Sequence, residues 1–257
     1  MKKSILFIFT ACFLFTTSCS DFLDEEHKTK YSSEYVFGTP EGLKLAVNAL
    51  YALQRYYAND TENATIFALE RGTDLAVTNG GTGNFYGIYD PNYLKPSASQ
   101  VGFMWRTMYQ IIGKANEIIA AAEDLEDTPS LRATVSEAKC FRAQSYFLLY
   151  RTFDRIWLNI QPTTAENVND PRDFHAASEK EVFDLIYEDL EYAITNLDWV
   201  SDEAGRFTQA AARHMKAKAA LWLKDWDTTL EQVEEIEKSG HFDLIALNEV
   251  FNARDLN

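Results

Sequence analysis

Apolar residues recur every three or four positions along most of the chain beyond residue 38, and the runs end in capping and turn residues. Thr39-Pro40-Glu41 supplies an N-cap, a proline at the first helical position and an acid in the first turn, and Leu43, Val47, Leu50, Tyr51 and Gln54 follow at helical spacing. A second helix is predicted over about 61–71, ending at Gly72. A third covers about 101–124 and carries two stripes, Met104, Met108, Ile111, Ala115, Ile118 and Ala122 beside Trp105, Tyr109, Ile112 and Ile119. Two stripes mean burial on two sides. The fourth runs from about Ser130 to Arg155, and its section from Phe141 to Phe153 is apolar nearly all round, which places it inside the body.

Ser178 and Glu181 form a capping box for a fifth helix, with Val182, Leu185, Ile186, Asp189, Ala193 and Leu197 as its stripe. Thr208 caps a sixth, kept thin on one side by Ala210, Ala211, Ala212, Ala217, Ala219 and Ala220 so that it can approach a neighbour closely. A seventh extends from about Trp226 to Ser239 and stops at Gly240. Strand signal is slight, and any β pieces fall within 75–100. Helices of this length in series, joined by short turns, predict an all-α fold of tetratricopeptide-like helical-hairpin repeats, the stretch 178–239 being closest to that packing.

The N-terminus changes the picture from a free domain to an exported one. Lys2 and Lys3 precede an apolar run from Ile5 to Phe15, then Thr16-Thr17-Ser18-Cys19. That run is far shorter than the roughly 20 residues of a spanning helix. The layout resembles a bacterial lipoprotein signal, giving a signal peptide over 1–18, an acylated Cys19 with a polar tether over 19–38, and a helical domain over 39–257. With Cys12 removed and Cys19 acylated, only Cys140 remains, so no internal disulfide holds the fold, and Cys140 reads as a small buried hydrophobe. The formal charge is −15, and loss of Lys2 and Lys3 takes it to −17. A chain so acidic does not hold nucleic acid or anionic lipid by bulk attraction.

The order of local motifs carries a family resemblance. Cys19-Ser20-Asp21-Phe22-Leu23-Asp24, Phe37-Gly38-Thr39-Pro40-Glu41-Gly42 and Asn48-Ala49-Leu50-Tyr51 resemble the mature start and first helix of SusD/RagB-type lipoproteins. Gly72-Thr73-Asp74 is similar to that family's Gly-Thr-Asp segment. Trp105, Tyr109, Ile112, Ala115 and Asn116 are similar to its W-x3-Y-x2-I-x2-A-N helix, and Arg142-Ala143 with Tyr146-Phe147 to its R-A-x2-Y-F helix. Gly205-Arg206-Phe207-Thr208 with Ala211-Ala212, and His241-Phe242-Asp243-Leu244, resemble the next repeat's opening and its stop. Two departures stand out. Phe153-Asp154-Arg155-Ile156-Trp157-Leu158 replaces the family's Phe-Gly-Asp-x-Pro-Leu, which alters the turn, and the chain resembles only the N-terminal portion of these longer proteins.

The resemblance implies an outward-facing, lipid-anchored outer-membrane protein that captures glycan, or peptide in RagB-like members, for a SusC-like TonB-dependent transporter. Sugar recognition needs flat apolar faces and hydrogen-bonding side chains. The 77–100 loop offers Phe85, Tyr86, Tyr89 and Tyr93 beside Asn79, Asn84 and Asn92, without helical periodicity. The candidate ligand-binding residues are therefore Asn79, Asn84, Phe85, Tyr86, Tyr89 and Tyr93, with Trp157 as a further ligand or transporter contact. Trp105, Trp222 and Trp226, at helical spacing, read as core; Trp157 and Trp199, in loops, are freer. Asn116 and Arg142, on apolar helices, read as partners of backbone or of each other.

His27, His175, His214 and His241 are scattered without metal-ligand spacing, and no nucleophile elbow, P-loop or dinucleotide fingerprint is present, so neither metal, cofactor nor enzymatic activity is expected. Two further readings differ in class. A tetratricopeptide lipoprotein that binds only protein partners would have few aromatics in its loops, and a surface glycosidase would need two carboxylates across a cleft.

Overall fold

The computed structural model describes residues 31–59, 95, 99–153, 155–171 and 174–244. Among these are seven helices and no strand: α1 (Ser33–Gly38), α2 (Pro40–Asn59), α3 (Ser99–Ala122), α4 (Pro129–Thr152), α5 (Glu179–Asn196), α6 (Gln209–Leu223) and α7 (Trp226–Lys238). Consecutive helices pack on one another from α1 to α7 wherever the chain between them is described, and α4 also touches α2 and α6. This is the predicted all-α series of hairpins. The helix expected over 61–71 and the β pieces allowed within 75–100 lie outside the described residues.

The caps explain the boundaries. Thr39 serves two helices with one hydroxyl: it donates to the Tyr35 carbonyl at the end of α1 (2.8 Å) and accepts from the Gly42 N–H at the start of α2 (3.0 Å). Thr128 caps α4 ahead of Pro129, the Ser178/Glu181 capping box starts α5, Thr208 caps α6 and Asp225 caps α7. Lys224 turns the chain between α6 and α7 in the left-handed region at φ 61°, which lets Asp225 start the next helix at once.

The core runs through α2, α3, α4 and α5, with Leu43, Leu50, Met108, Ile111, Phe141, Tyr146, Ile186 and Leu190 fully buried. α4 is its centre: buried residues occupy nearly every turn, as its all-round apolar section implies. Cys140 is fully buried and free, and burial pushes its thiol pKa well up. All of the α6 alanines but the half-buried Ala211 are buried, so its backbone lies close to α5 and α7.

Three features depart from the sequence expectation. Residues 33–38, read as tether, form the short helix α1, whose Phe37 joins the core margin while Tyr31 and Tyr35 stack outside it at 5.2 Å. Trp222 and Trp226, read as core, are 48% and 58% exposed. Trp222 meets Phe147 only edge-on at 6.4 Å, and Trp226 belongs with Leu230 and Val233 to a side of α7 turned away from α6, its one helical neighbour among the described residues. Trp105 is half-buried, for a reason that emerges below.

Gly42 marks the closest approach of α1 to α2. A Cβ there would lie 2.2 Å from the Tyr35 carbonyl oxygen and 2.6 Å from Val36 backbone atoms. Backbone cannot swing aside as a side-chain tip can, so Gly42→Ala is expected to cost about 1–3 kcal/mol; urea unfolding measures this, and a neutral result would mean that α1 does not rest on α2. For Cys140, the expected result is no alkylation of the native protein by iodoacetamide at pH 8 and full alkylation in denaturant; reaction in the native state would contradict its burial.

Candidate functional site: an aromatic row on a clasped loop

Between α4 and α5 the chain leaves helical form at Phe153 and returns at Glu179. This segment lacks the glycine and proline expected at its start, and its path is set instead by the helices beneath it. Tyr109 of α3 grips Trp157 at two points: its hydroxyl accepts from the Trp157 N–H (2.9 Å) and donates to the Trp157 carbonyl (2.8 Å). Tyr146 of α4 repeats the clasp two residues on, accepting from the Asn159 N–H (2.8 Å) and donating to the Asn159 carbonyl (2.9 Å). The Asn116 amide adds a second donor to the Asn159 carbonyl at 2.7 Å. Ile156, just before the first clasp, is buried, and its carbonyl accepts from the Ala177 N–H at 2.9 Å, closing the loop. Backbone polar groups that no sheet or helix satisfies are thus satisfied by side chains.

Beneath the clasps lies a charged network. Asp189 of α5 is fully buried. Arg142 meets it with two parallel bonds, Nε to Oδ2 and Nη2 to Oδ1, both 2.7 Å, and Lys139 adds a third at 2.8 Å. The remaining Arg142 nitrogen, Nη1, donates to the Asn116 Oδ1 at 2.8 Å, which orients the Asn116 amide toward Asn159. A continuous chain of hydrogen bonds, charge-assisted as far as Asn116, therefore runs from the middle of α5 to the loop. Burial pushes the pKa of both clasping phenols up, the backbone N–H donors of Trp157 and Asn159 countering part of the rise, so each hydroxyl stays protonated and able to donate.

A second junction ties α2 to the loop before α6. Tyr51 donates to the Glu137 carboxylate and accepts from the Phe207 N–H at 2.7 Å, while Arg206 lies over the Tyr51 ring and bonds Asn48 at 2.8 Å. Burial raises the Glu137 pKa above the usual range, offset in part by Tyr51 and Arg206.

The clasp has a visible product. Five aromatic rings follow one another, Phe153, Trp105, Tyr109, Trp157 and Phe174, with neighbouring centroids 5.0, 4.8, 6.5 and 4.9 Å apart. Tyr109 and Trp157 are close to parallel at 25°. Trp157 is half-buried and Phe174, at 70%, fully open to solvent. Trp105 is half-buried because it belongs to this row as well as to the margin of the core. The row offers flat apolar faces held rigidly from below, a surface suited to the C–H face of a sugar ring or to an apolar side chain.

Of the sequence-predicted ligand residues, only Trp157 falls among the described residues, and it stands in this row; Asn79, Asn84, Phe85, Tyr86, Tyr89 and Tyr93 lie outside them. Phe174 was missed. It sits in the polar stretch Asn169-Asp170-Pro171-Arg172-Asp173-Phe174-His175, and the signal that marked 85–93, an aromatic in a loop without helical period, was present there too. Among the described residues no group of three His, Cys, Asp or Glu side chains could hold a metal ion, and no helix is long and apolar enough to cross a membrane.

The helical-hairpin array thus carries an aromatic row that crosses α3, the end of α4 and the loop that follows, a candidate ligand surface. Its family follows from comparison: the chain belongs to the SusD-like family described as "starch-binding associating with outer membrane", whose model matches residues 21–221. It is 28% identical over 240 residues to a SusD-like protein of Bacteroides ovatus, covering 88% of this chain and 40% of that one. It is 27% identical over 252 residues to SusD-like protein P38 of Formosa agariphila, covering 95% and 48%. The chain thus spans about half the length, or less, of the curated relatives it matches. Among solved structures, a laminarin-binding SusD-like protein aligns with a TM-score of 0.66 at 25% identity, over 76% of this chain and 43% of that one. A SusD superfamily protein of Bacteroides thetaiotaomicron aligns with a TM-score of 0.68 at 18% identity, over 83% and 50%. The second likeness is one of fold.

The network makes a stability prediction. Asp189→Asn leaves Lys139 and Arg142 buried without their counter-charge, and is expected to cost about 3–5 kcal/mol in denaturant unfolding. A loss below about 1 kcal/mol would show that these cations find other partners and that the loop does not depend on Asp189.

Proposed function

We propose that this chain is the glycan-capturing part of a surface lipoprotein: the aromatic row takes the apolar faces of an oligosaccharide, which passes to a SusC-like TonB-dependent transporter. The carrying observation is the row itself, because a surface held by five backbone hydrogen bonds and a buried ion network pays little ordering entropy when a ligand settles on it. The family's description as starch-binding and the laminarin-binding relative support a sugar ligand. Phe85, Tyr86, Tyr89 and Tyr93, with Asn79 and Asn84, would supply a second wall, since α3 starts at Ser99 directly after their loop and Trp105 lies in its second turn. Cys19 would carry the acyl anchor to the outer membrane, with the body facing outward. The role is binding without turnover: the row's titratable group, the Tyr109 hydroxyl, is committed twice to Trp157 backbone and cannot serve as an acid or base.

Calorimetry on the purified chain with laminarin and starch oligosaccharides tests this, beside a mixed peptide panel. Saturable sugar binding is expected, weakened about tenfold by Trp157→Ala with Phe174→Ala, since each ring contact contributes on the order of 1 kcal/mol. A separate Phe85→Ala, Tyr86→Ala, Tyr89→Ala variant reports on the second wall. Binding of peptides alone would transfer the function to a RagB-like role, and sugar binding unchanged in both variants would remove the row and the loop from the site.

A further inference from the structure

A cleft of about 200 Å³ opens between α4 and α6, with contributions from α2, α3 and α5. Phe147 and Met215 give it apolar walls, while Arg151, His214 and Lys218 stand on its lining. No ion pair among the described residues engages any of these three; each pair uses other cations. In a chain of net charge −15, three groups able to carry positive charge gathered without a carboxylate are the reverse of the general surface. The Arg151 guanidinium lies 4.4 Å over the Phe147 ring, which fixes its plane. Gln144, also on the lining, has a buried side-chain oxygen with no hydrogen-bond partner, an acceptor whose desolvation nothing in the described protein repays.

We infer that this cleft is a subsite for a carboxylate-bearing sugar unit, a uronate, of a captured glycan; the inference rests on the glycan reading above and adds a preference to it. The three features of the cleft select the ligand together. An apolar ring face fits Phe147 and Met215, a carboxylate meets Arg151 and Lys218, and a hydroxyl donates to the Gln144 oxygen once that side chain turns toward the cleft. An inorganic anion has no apolar face, and a fatty acid has no hydroxyl to offer. The volume is small beside the roughly 300–1,000 Å³ of pockets for larger ligands, which suits one ring rather than a chain.

The test compares binding of trigalacturonate and a neutral trisaccharide of the same linkage by calorimetry on the full chain, in wild type, Lys218→Glu and Gln144→Leu. Lys218 is exposed, so its reversal leaves the fold intact, and circular dichroism checks this for both variants. Expected is a preference for the uronate of about tenfold at low salt that shrinks as salt rises, is lost in Lys218→Glu and weakens in Gln144→Leu, while neutral-sugar binding is unchanged in Lys218→Glu. A uronate preference that survives Lys218→Glu overturns the subsite, as does equal binding of the two sugars in wild type. In the latter case neutral binding that depends on Trp157 leaves the glycan function standing, whereas failure of both sugars removes function and subsite together.

Discussion

A carboxylate buried without solvent is among the costliest groups a fold can hold, and Asp189 sits at the centre of this one with no exposure at all. The chain answers with two cations from the facing helix. Lys139 and Arg142 stand three residues apart on α4, so both reach the same face one turn from each other, and the guanidinium fork meets the carboxylate with two parallel bonds. Replacement by apolar residues of similar volume is often no worse for stability in such triads. The geometry favours a different role here. Arg142 has a nitrogen to spare, it orients Asn116, and Asn116 reaches the loop. The charge at the centre sets the register of a surface segment that has no regular structure of its own.

That arrangement explains why the motif residues carry the family signal. Tyr109, Asn116, Arg142 and Tyr146 come from two helices and look unrelated in the sequence, yet all four converge on the backbone from 157 to 161 or on the group that orients it. Asn48, Tyr51, Arg206 and Phe207 converge in the same way at the other junction. Apart from the exposed Asn48 these side chains are buried or half-buried, and most of the polar ones are spent on backbone. They hold irregular segments in place, and the residues that face solvent from those segments are then free to vary with the ligand.

Most of the fold was legible because helix ends and helix faces are written locally. Thr39-Pro40, Thr128-Pro129, Ser178 with Glu181, and Thr208 each act through bonds to residues three or four positions away, so the sequence holds both partners. Asn116 and Arg142 were read as partners of backbone or each other, and they are both. What escaped depended on distant chain. Trp222 and Trp226 have helical spacing, but burial needs a neighbour: Trp222 on α6 meets Phe147 edge-on at its margin, and α7 has no helix on the Trp226 side among the described residues. The path from 153 to 160 could not be inferred once its glycine and proline were gone, because Tyr109 and Tyr146 set it from 48 and 13 residues away. Phe174 became part of the row only through Trp157, a contact across two turns of loop.

The aromatic row and the cationic cleft share the same helices. Met108 lines the cleft and Tyr109, next to it on α3, belongs to the row; Arg151 lines the cleft and Phe153, at the end of α4, belongs to the row. Neighbours on a helix point about 100° apart, so α3 and the last turn of α4 divide one apolar surface from the other. The two faces differ in what they can tell apart. Stacked rings accept any sugar that shows a C–H face and so supply affinity with little discrimination, whereas cations without a protein counter-charge favour a unit that brings a carboxylate over a neutral one. In a strongly acidic protein a polyanionic glycan is repelled from most of the surface. The cations of the cleft would therefore draw such a chain to one place, while the aromatic row would take its neutral faces.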